Sequence, residues 1–430
     1  MTPRVRLSRF LLAVALLATA SYVWIYAVGL ASPPVRSDGF GYFVYLPAAV
    51  VDHDLTLETT ARECCGGTFP GWAAIITWPE TNRLVSAHPI GVAVFILPLY
   101  LAAHALTLWS NLPPTGWSFY YQHAAGLTGV AALIVGLRIL GLALARSSSP
   151  STVIWTLAVV TFGTNLFHYG TYDSVYSHVF SFLLVSALIH QVPLWYEVPS
   201  WRRSCGIGAV AGLIVLVRHP NAVLLAIIPA CGLWTERSLG SHLAVLWSRR
   251  TPIVMMVLAA LAVVLPQLAI YYQATGRLLV SSYGTLWFNF ADPQVYGVLF
   301  SVQKGVFFWA PVLLVGVAGW WLRGPATPFV APIAIVVPVT IYVIASWWDW
   351  QYGGSYGHRG FTDLTGLFAL GIAAVFERSR SSRHWSLALR IVAVALMALS
   401  VAQMLQYWLG TLPIADLTWQ QYRSGFLRFR

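Results

Sequence analysis

The polar segment at residues 37–48, SDGFGYFVYLPA, places the carboxylate of Asp38 a few residues after the first long apolar stretch. A carboxylate held at a membrane boundary suits a general base, or a ligand for a metal ion that binds a lipid phosphate or pyrophosphate. Tyr42 and Tyr45 are three residues apart, so they would share one face of a short helix and contact a substrate together. The alternative for Asp38 is a structural role as the N-cap of that helix.

A second carboxylate lies in the short polar turn at residues 168–178, HYGTYDSVYSH, between two apolar segments. An ionised side chain at such a place is expensive unless it is paired or used. We therefore predict a site role for Asp173, with Tyr172 and His178 beside it contacting the substrate. The alternative is that Asp173 caps the helix that follows.

Asp52 and Asp54 form a D-x-D triplet, a spacing that can hold a divalent cation. Acidic triplets are common by chance in loops, so the alternative is a solvated loop without metal. A divalent cation, Mg²⁺ or Mn²⁺, is the candidate cofactor; its ligands are left open.

Three cations lie near apolar segment ends and suit a phosphate: Arg218 in RHPN, Lys304 in QKG and Arg359 in GHRG. Arginine keeps its charge and matches phosphate oxygens with two parallel N–H groups. A lysine at the membrane interface can neutralise a lipid phosphate. The alternative for each is a side chain that reaches the interface only as an anchor.

The densest polar stretch is residues 346–360, SWWDWQYGGSYGHRG. Indole rings offer flat faces for a sugar, and carboxylate and imidazole groups can bond its hydroxyls. An aromatic belt at the membrane surface explains the tryptophans but not the Gly-rich GHR segment. We predict that this stretch binds substrate through Trp348, Asp349, Trp350 and His358.

The composition excludes a soluble enzyme, a disordered chain and a disulfide scaffold. Of 430 residues, 58% are hydrophobic and only 9% are charged, against about 25% in a soluble domain. The 25 basic and 14 acidic residues give a net charge of +11. In a soluble protein this charge would favour nucleic-acid binding, but here it fits the excess of basic residues in cytoplasmic loops, and no nucleic-acid partner is predicted.

The fold class predicted from these data is an all-α polytopic membrane protein with about eleven transmembrane helices. A crossing takes about 20 apolar residues. The candidate spans are 10–31, 119–145, 151–168, 174–195, 204–217, 220–235, 252–273, 305–322, 327–346, 361–376 and 386–409. They form one domain over 1–430, with outer loops at 32–118, 274–304 and 347–360.

The apolar stretch at 88–108 is predicted to lie in the outer leaflet rather than to cross. Counting it as a crossing would place the arginine clusters after it outside, against the positive-inside rule. With 72–110 kept outside as juxtamembrane helices, all acidic residues except Glu197, Glu236 and Glu377 fall on the outer side. The N-terminus is then cytoplasmic, and the protein works on its outer face.

The sequence resembles the membrane glycosyltransferases of the GT-C superfamily. The resemblance rests on the early outer-loop aspartate, the helix AHPIGVAVFILPLY that begins with His88, and the blocks YDSVYSH, LVRHPN, VLFSVQKGVFFWAP and WWDWQYGGSYGHR, in this order. It points to bacterial relatives of protein mannosyltransferases and aminoarabinose transferases, in an uncharacterised branch. Many of these carry two adjacent acidic residues where this chain has Ser37 and Asp38.

The resemblance implies a sugar donor linked to polyprenyl phosphate and an extracytoplasmic acceptor, which is a glycan, lipid or protein. It implies Asp38 as the general base, Asp173 as a second catalytic carboxylate, and a place in the bacterial inner membrane with the active site on the periplasmic face. His88 would contact substrate, and the donor phosphate would lie between Arg218, Lys304 and Arg359. The alternatives are a transporter or flippase of lipid-linked sugars, and a transferase of the O-antigen-ligase type.

Overall fold

The computed structural model describes residues 3–235, 238–281 and 287–429. Glu236 and residues 282–286 of the predicted second outer loop lie outside them. The helices are α1 Pro3–Ala27, α2 Asp38–Phe43, α3 Tyr45–Val50, α4 Glu58–Cys65, α5 Gly91–Trp109, α6 Phe119–Leu144, α7 Pro150–Phe162, α8 Leu166–Thr171, α9 Ser177–Glu197, α10 Trp201–Val217, α11 Ile227–Ala230, α12 Leu239–Ser248, α13 Arg250–Thr275, α14 Val295–Phe300, α15 Val306–Trp309, α16 Leu313–Gly319, α17 Val330–Ser346, α18 Thr365–Ser379, α19 Arg383–Trp408 and α20 Trp419–Gly425. Short 3₁₀ segments occupy Gly71–Ala73, His219–Ala226, Thr327–Phe329 and Arg359–Leu364.

The chain is a helical membrane protein, as the composition predicts. Among the described residues, eight helical stretches are long and apolar enough to cross a membrane. In a bilayer each backbone N–H and C=O needs a partner within the protein, which favours long helices over sheets. The described strands are β1, Ile75–Thr77, and β2, Leu84–Ser86, which pair antiparallel with Ile76 opposite Val85.

The predicted count of eleven crossings is not confirmed. The predicted spans 151–168 and 204–217 correspond to α7, with 13 residues, and α10, with 17. The predicted span 220–235 begins in a 3₁₀ segment, and 305–322 is broken into α15 and α16 around Pro311. Pro311 lies between α15 and α16, where its missing N–H interrupts the helical hydrogen bonds. Helices α5, α9, α13 and α17 each continue through an internal proline, so proline alone does not decide where a helix ends.

Glycines let the long helices approach closely. A Cβ added to Gly371 of α18 would lie 1.9 Å from the carbonyl oxygen of Gly316 in α16, and a Cβ on Gly129 of α6 would lie 1.9 Å from that of Ser174. Small residues at crossings are typical of membrane helices, because lipid offers no hydrophobic driving force and close packing must hold the helices together.

One end of the bundle, here called the polar end, is formed by the C-termini of α1 and α10 and the N-termini of α6 and α9. The Tyr22 hydroxyl of α1 lies 3.0 Å from Nδ1 of His123 in α6, and the Tyr26 hydroxyl donates to the Tyr172 carbonyl just before α9. Described residues of all three predicted outer loops meet at this end. The backbone N–H of Trp348 donates to the Trp287 carbonyl, which joins the third predicted loop to the second.

Helix α5 lies across the polar end, although its length and composition would allow it to cross a membrane. At its start, a Cβ on Gly91 would touch the backbone of Leu216 at the end of α10. Near its other end, Nδ1 of His104 lies 2.7 Å from the hydroxyl of Tyr121, the third residue of α6. Both ends of α5 therefore contact the same end of the bundle, as expected for a helix that lies along the membrane; the outer-leaflet placement of 88–108 stays a prediction.

In the remainder of the first predicted loop, α2 and α3 pack against α5, and α4 packs against α3. The β1–β2 hairpin packs against the end of α13, where Trp78 and Val85 meet Tyr271 and Ala274. Residues 75–86, inside the stretch that was expected to be helical, form this hairpin instead. Cys64 and Cys65 at the end of α4 are joined by a disulfide between adjacent residues.

The position of α5 predicts that residues 110–118 lie on the same side of the membrane as the polar end. In a background with Cys205 and Cys231 replaced by alanine, a cysteine at Ser110 or Thr115 should react with an impermeant thiol reagent added from outside, whereas a cysteine at Ser381, before α19, should not. Labelling of position 110 from the cytoplasmic side alone would mean that α5 crosses the membrane.

Candidate functional site

A cavity of about 650 Å³ opens at the polar end, where the predicted loops meet. Eight of the residues predicted from the sequence as site residues line it: Asp38, Tyr42, His88, His178, Arg218, Trp348, Asp349 and Arg359. They come from segments that are far apart in the chain, and the packing of the long helices brings them together.

Asp38 is the first residue of α2 and faces the cavity. Gly41, one turn later, leaves room for His88, because a Cβ at this position would lie 2.2 Å from Cδ2 of the imidazole. The rings of Tyr42 and His88 pack with their centroids 4.4 Å apart. The first predicted loop thus presents a carboxylate, a phenol and an imidazole side by side.

The carboxylate of Asp38 is paired with Arg359, with Nη1 of the guanidinium 2.5 Å from Oδ2. Burial alone would raise the pKa of Asp38, but the charge of Arg359 and its hydrogen bond to the carboxylate outweigh burial and hold the pKa below its usual value. Asp38 is therefore ionised in the resting protein. Ser37 is the residue at the N-cap, and its side chain makes no capping bond, so the helix-cap alternative for Asp38 is not what the structure shows.

A second carboxylate, Asp363, stands behind the cavity wall and connects two residues that line it. Its Oδ1 lies 2.9 Å from Nδ1 of His178, and its Oδ2 lies 3.3 Å from Nη1 of Arg218. The side chain of Asp363 is only 2% exposed. This buried carboxylate fixes the orientation of both the imidazole and the guanidinium.

Tyr352 lies between the two arginines of the cavity. The guanidinium carbon of Arg218 is 4.9 Å from the centroid of its ring, and that of Arg359 is 5.5 Å from it. An aromatic face attracts cations through its electron density, so the ring allows two like charges to point into one small space. Tyr352 adopts a φ of 55°, followed by Gly353 at 57°, which turns the chain back at this point.

Three further predicted residues support the third loop from behind the cavity. Nε2 of His358 lies 2.9 Å from the carbonyl oxygen of Trp350, and the indole of Trp350 packs on Gly297 of α14. Nζ of Lys304 donates to the backbone carbonyls of Ser355 and Ile414. Burial and the charge of Arg359 lower the pKa of Lys304 to about 7. The structure thus does not bring Lys304, Trp350 or His358 to the cavity lining.

Asp173 also lies outside the cavity lining. Its Oδ1 is 2.7 Å from Nη2 of Arg36, and its Oδ2 is 2.9 Å from Nε2 of His168. The indole N–H of Trp408 donates to Nδ1 of His168, so this imidazole carries its proton on Nε2 and donates it to Asp173. Arg36 also bonds the carbonyls of Ala31, Pro33 and Tyr172, which fixes the segment that leads into Asp38.

The remaining candidates are also engaged in the framework. The hydroxyl of Tyr45 donates to the His88 carbonyl, and that of Tyr172 donates to the Leu30 carbonyl. Asp54 accepts bonds from Thr56 and Thr59; these bonds outweigh the effect of burial and lower its pKa to about 2. Asp52 accepts a bond from Thr60.

No cluster of three or more His, Cys, Asp or Glu side chains that could hold a metal ion is found within the described ranges. The divalent cation stays a prediction.

Sequence reasoning missed Asp363, Arg36 and Tyr352. Asp363 carried a usable signal: a carboxylate four residues after Arg359 and inside an apolar segment is expensive unless it has a partner. Arg36 lies two residues before Asp38, but nothing in the sequence identifies its partner, Asp173, because the two are 137 residues apart.

Comparison with known proteins gives little to identify the chain. No protein-family model and no curated protein matches it. A search of solved structures finds a likeness to the archaeal oligosaccharyltransferase AglB from Archaeoglobus fulgidus, in complex with an inhibitory peptide and a dolichol-phosphate, at 10% identity and a TM-score of 0.49. The match covers 96% of this chain and 57% of the AglB chain, so this chain spans little more than half the length of that protein. A likeness at this level does not assign a function.

The bonds of Asp173 predict a structural role that can be separated from catalysis. Asp173→Asn leaves Arg36 without its counter-charge, and the free energy of unfolding should fall by about 3 kcal/mol, the lower end for a broken buried pair because Arg36 is partly exposed. Thermal unfolding in detergent measures the loss, with the exposed Asp292→Asn as the matched control. Combining Asp173→Asn with Arg36→Gln should cost less than the sum of both changes. Lost turnover at an unchanged Tm would instead return Asp173 to a catalytic role.

Proposed function

We propose that this chain is a membrane glycosyltransferase that moves a sugar from a polyprenyl-phosphate donor to an acceptor at the polar end. The observation that carries the proposal is the Asp38–Arg359 pair, which faces the same cavity as Arg218 at the edge of an apolar bundle. A carboxylate beside two fixed cations fits a reaction that takes a proton from one substrate and leaves negative charge on another.

The two arginines are suited to the phosphate of the donor. Both guanidiniums are fixed in charge, both contact the ring of Tyr352, and both line the cavity. Trp347 and Trp348 provide flat faces for the sugar. Ala222, Val223 and Val343 form an apolar part of the wall, which suits the first isoprene units of the donor.

The pairing of Asp38 with Arg359 has a consequence for its strength as a base. In the resting protein the arginine keeps the pKa of Asp38 low, which makes the carboxylate a poor proton acceptor. A donor phosphate competes for Arg359. Once the arginine turns to the phosphate, burial dominates and raises the pKa of Asp38, so the base becomes effective only when the donor is present.

The acceptor in this proposal is an extracytoplasmic glycan, lipid or protein with a free hydroxyl group. The chain would lie in the bacterial inner membrane with the polar end on the periplasmic side. Purified protein in lipid, incubated with a panel of radiolabelled polyprenyl-phosphate sugars and membrane extract, tests the proposal by transfer of label to a non-donor product. Release of free sugar alone would indicate hydrolysis, and movement of intact donor between leaflets would indicate a flippase.

Asp38→Asn tests the base. The amide keeps the size of the side chain but accepts no proton at neutral pH, so turnover should fall by at least about 100-fold, a typical general-base contribution. Donor binding should survive, because Arg359 is then free of its counter-charge. Initial rates and donor affinity measured for Asp38→Asn and for the control Asp292→Asn decide this, and near-normal turnover in the former would exclude Asp38 as the base.

Arg359→Lys tests the phosphate site. Lysine keeps the charge but lacks the planar fork that contacts two oxygens, so the transfer rate should fall more than donor affinity, because charge on the phosphate grows as the sugar bond breaks. Arg423→Lys on α20, outside the cavity, is the matched control. Unchanged rates in both Arg359→Lys and Arg218→Ala would contradict the shared phosphate site and favour the transporter alternative.

A further inference from the structure

The Asp363–His178 pair is a feature of the cavity that the proposed reaction does not yet use. His178 is the second residue of α9, lines the cavity and is only 3% exposed on its side chain. Its Nδ1 is held by Oδ1 of Asp363 at 2.9 Å. A carboxylate accepts and does not donate, so Nδ1 carries the proton, and Nε2 is the ring nitrogen that a ligand in the cavity can reach.

The same carboxylate places His178 next to a phosphate-binding cation. Oδ2 of Asp363 accepts from Arg218, so the imidazole and the guanidinium are fixed on the two oxygens of one group. Asn221, just after Arg218, donates to Ser181 of α9 and ties the two segments together again. A phosphate that contacts Arg218 would therefore also lie close to the His178 ring.

The charges around His178 are balanced when its ring is neutral. Four charged groups interact electrostatically with the His178 ring: Arg218, Arg359, Asp363 and Asp38. These are two cations and two anions. Asp349 in the lining adds one negative charge, and Lys304 behind it adds up to one positive charge because its pKa is about 7. The other titratable groups around the cavity include His88, His219, Tyr42, Tyr352 and Tyr169. A phosphodiester brings one further negative charge into this balanced site, and a proton on His178 is the local way to offset it.

We propose that His178, oriented by Asp363, takes up a proton when the donor phosphate enters the cavity and returns it to that phosphate during transfer. The inference rests on the proposed function and names the residue that handles the proton of the leaving group. A histidine suits this role because its ordinary pKa lies close to neutral pH, so a modest change in surroundings changes its charge.

The step balances as follows. The acceptor oxygen forms its bond to the anomeric carbon while its proton passes to Asp38. The bond from the anomeric carbon to the phosphate oxygen breaks, and its electron pair stays on that oxygen. The proton on Nε2 of His178 moves to the phosphate, which leaves as a singly charged monoester, and His178 returns to its neutral form.

The test uses farnesyl methyl phosphate, a phosphodiester that has no sugar to transfer and no second proton to lose between pH 5 and 9. Titration calorimetry with the purified full chain, in two buffers of different ionisation enthalpy, measures the protons taken up on binding. The wild type should take up a measurable fraction of a proton near pH 7. Because the complex holds a proton that the free protein lacks, affinity should be constant below the pKa of the free imidazole, fall by up to about tenfold per pH unit between that pKa and the pKa of the bound imidazole, and level off above it.

His178→Gln should bind without proton uptake and with a flat pH profile, whereas His190→Gln, the same change on the same helix but away from the cavity, should behave as the wild type. Wild-type binding without proton uptake overturns the inference and leaves the phosphate site intact. Uptake that persists in His178→Gln and disappears in His88→Gln or His219→Gln assigns the proton to another residue and also overturns it. Failure of the wild type to bind the diester overturns the inference together with the donor class of the proposed function.

Discussion

The structure at the polar end depends on one constraint: an ionised carboxylate at the edge of an apolar bundle must be paired. Moving such a group out of water costs several kcal/mol, and a guanidinium at hydrogen-bond distance offsets most of this cost. Asp38, Asp173 and Asp363 each meet an arginine from a distant segment. The three pairs connect the first predicted loop, the turn before α9, the end of α10 and the third predicted loop.

The pairs differ in what surrounds them, and this difference separates support from chemistry. The Asp173 pair is closed by His168 and Trp408 and lies outside the cavity lining. In the Asp38 pair both partners line the cavity, so a bound anion can compete for the arginine. The same type of ion pair therefore has a structural role at Asp173 and forms an exchangeable contact at Asp38.

The third predicted loop shows how much backbone arrangement such a site needs. Residues 358–363 are anchored by Asn165, whose side chain donates to the His358 carbonyl and accepts from the Thr362 hydroxyl. Lys304 joins this loop to the segment after α19 through two backbone carbonyls. Lys304, the only lysine of the sequence, thus stabilises the backbone behind the cavity, whereas Arg218 and Arg359 provide the positive charge in its lining.

The sequence by itself determined the class of protein and eight of the polar and aromatic residues that line the cavity. Low charge and long apolar stretches allow only a membrane bundle, and polar residues collected in a few loops must meet at one end of it, which brought Asp38, Arg218 and Arg359 correctly to one place. The tertiary structure decided which polar residues line the cavity and which form hydrogen bonds behind it. Hydrogen-bond partners such as Arg36 and Asp173 are far apart in the chain, and burial of a side chain depends on packing, neither of which residue type or spacing encodes. The predicted number of crossings is not confirmed for a related reason: mean apolarity does not show where a helix ends, as α10 does at Val217, directly before Arg218.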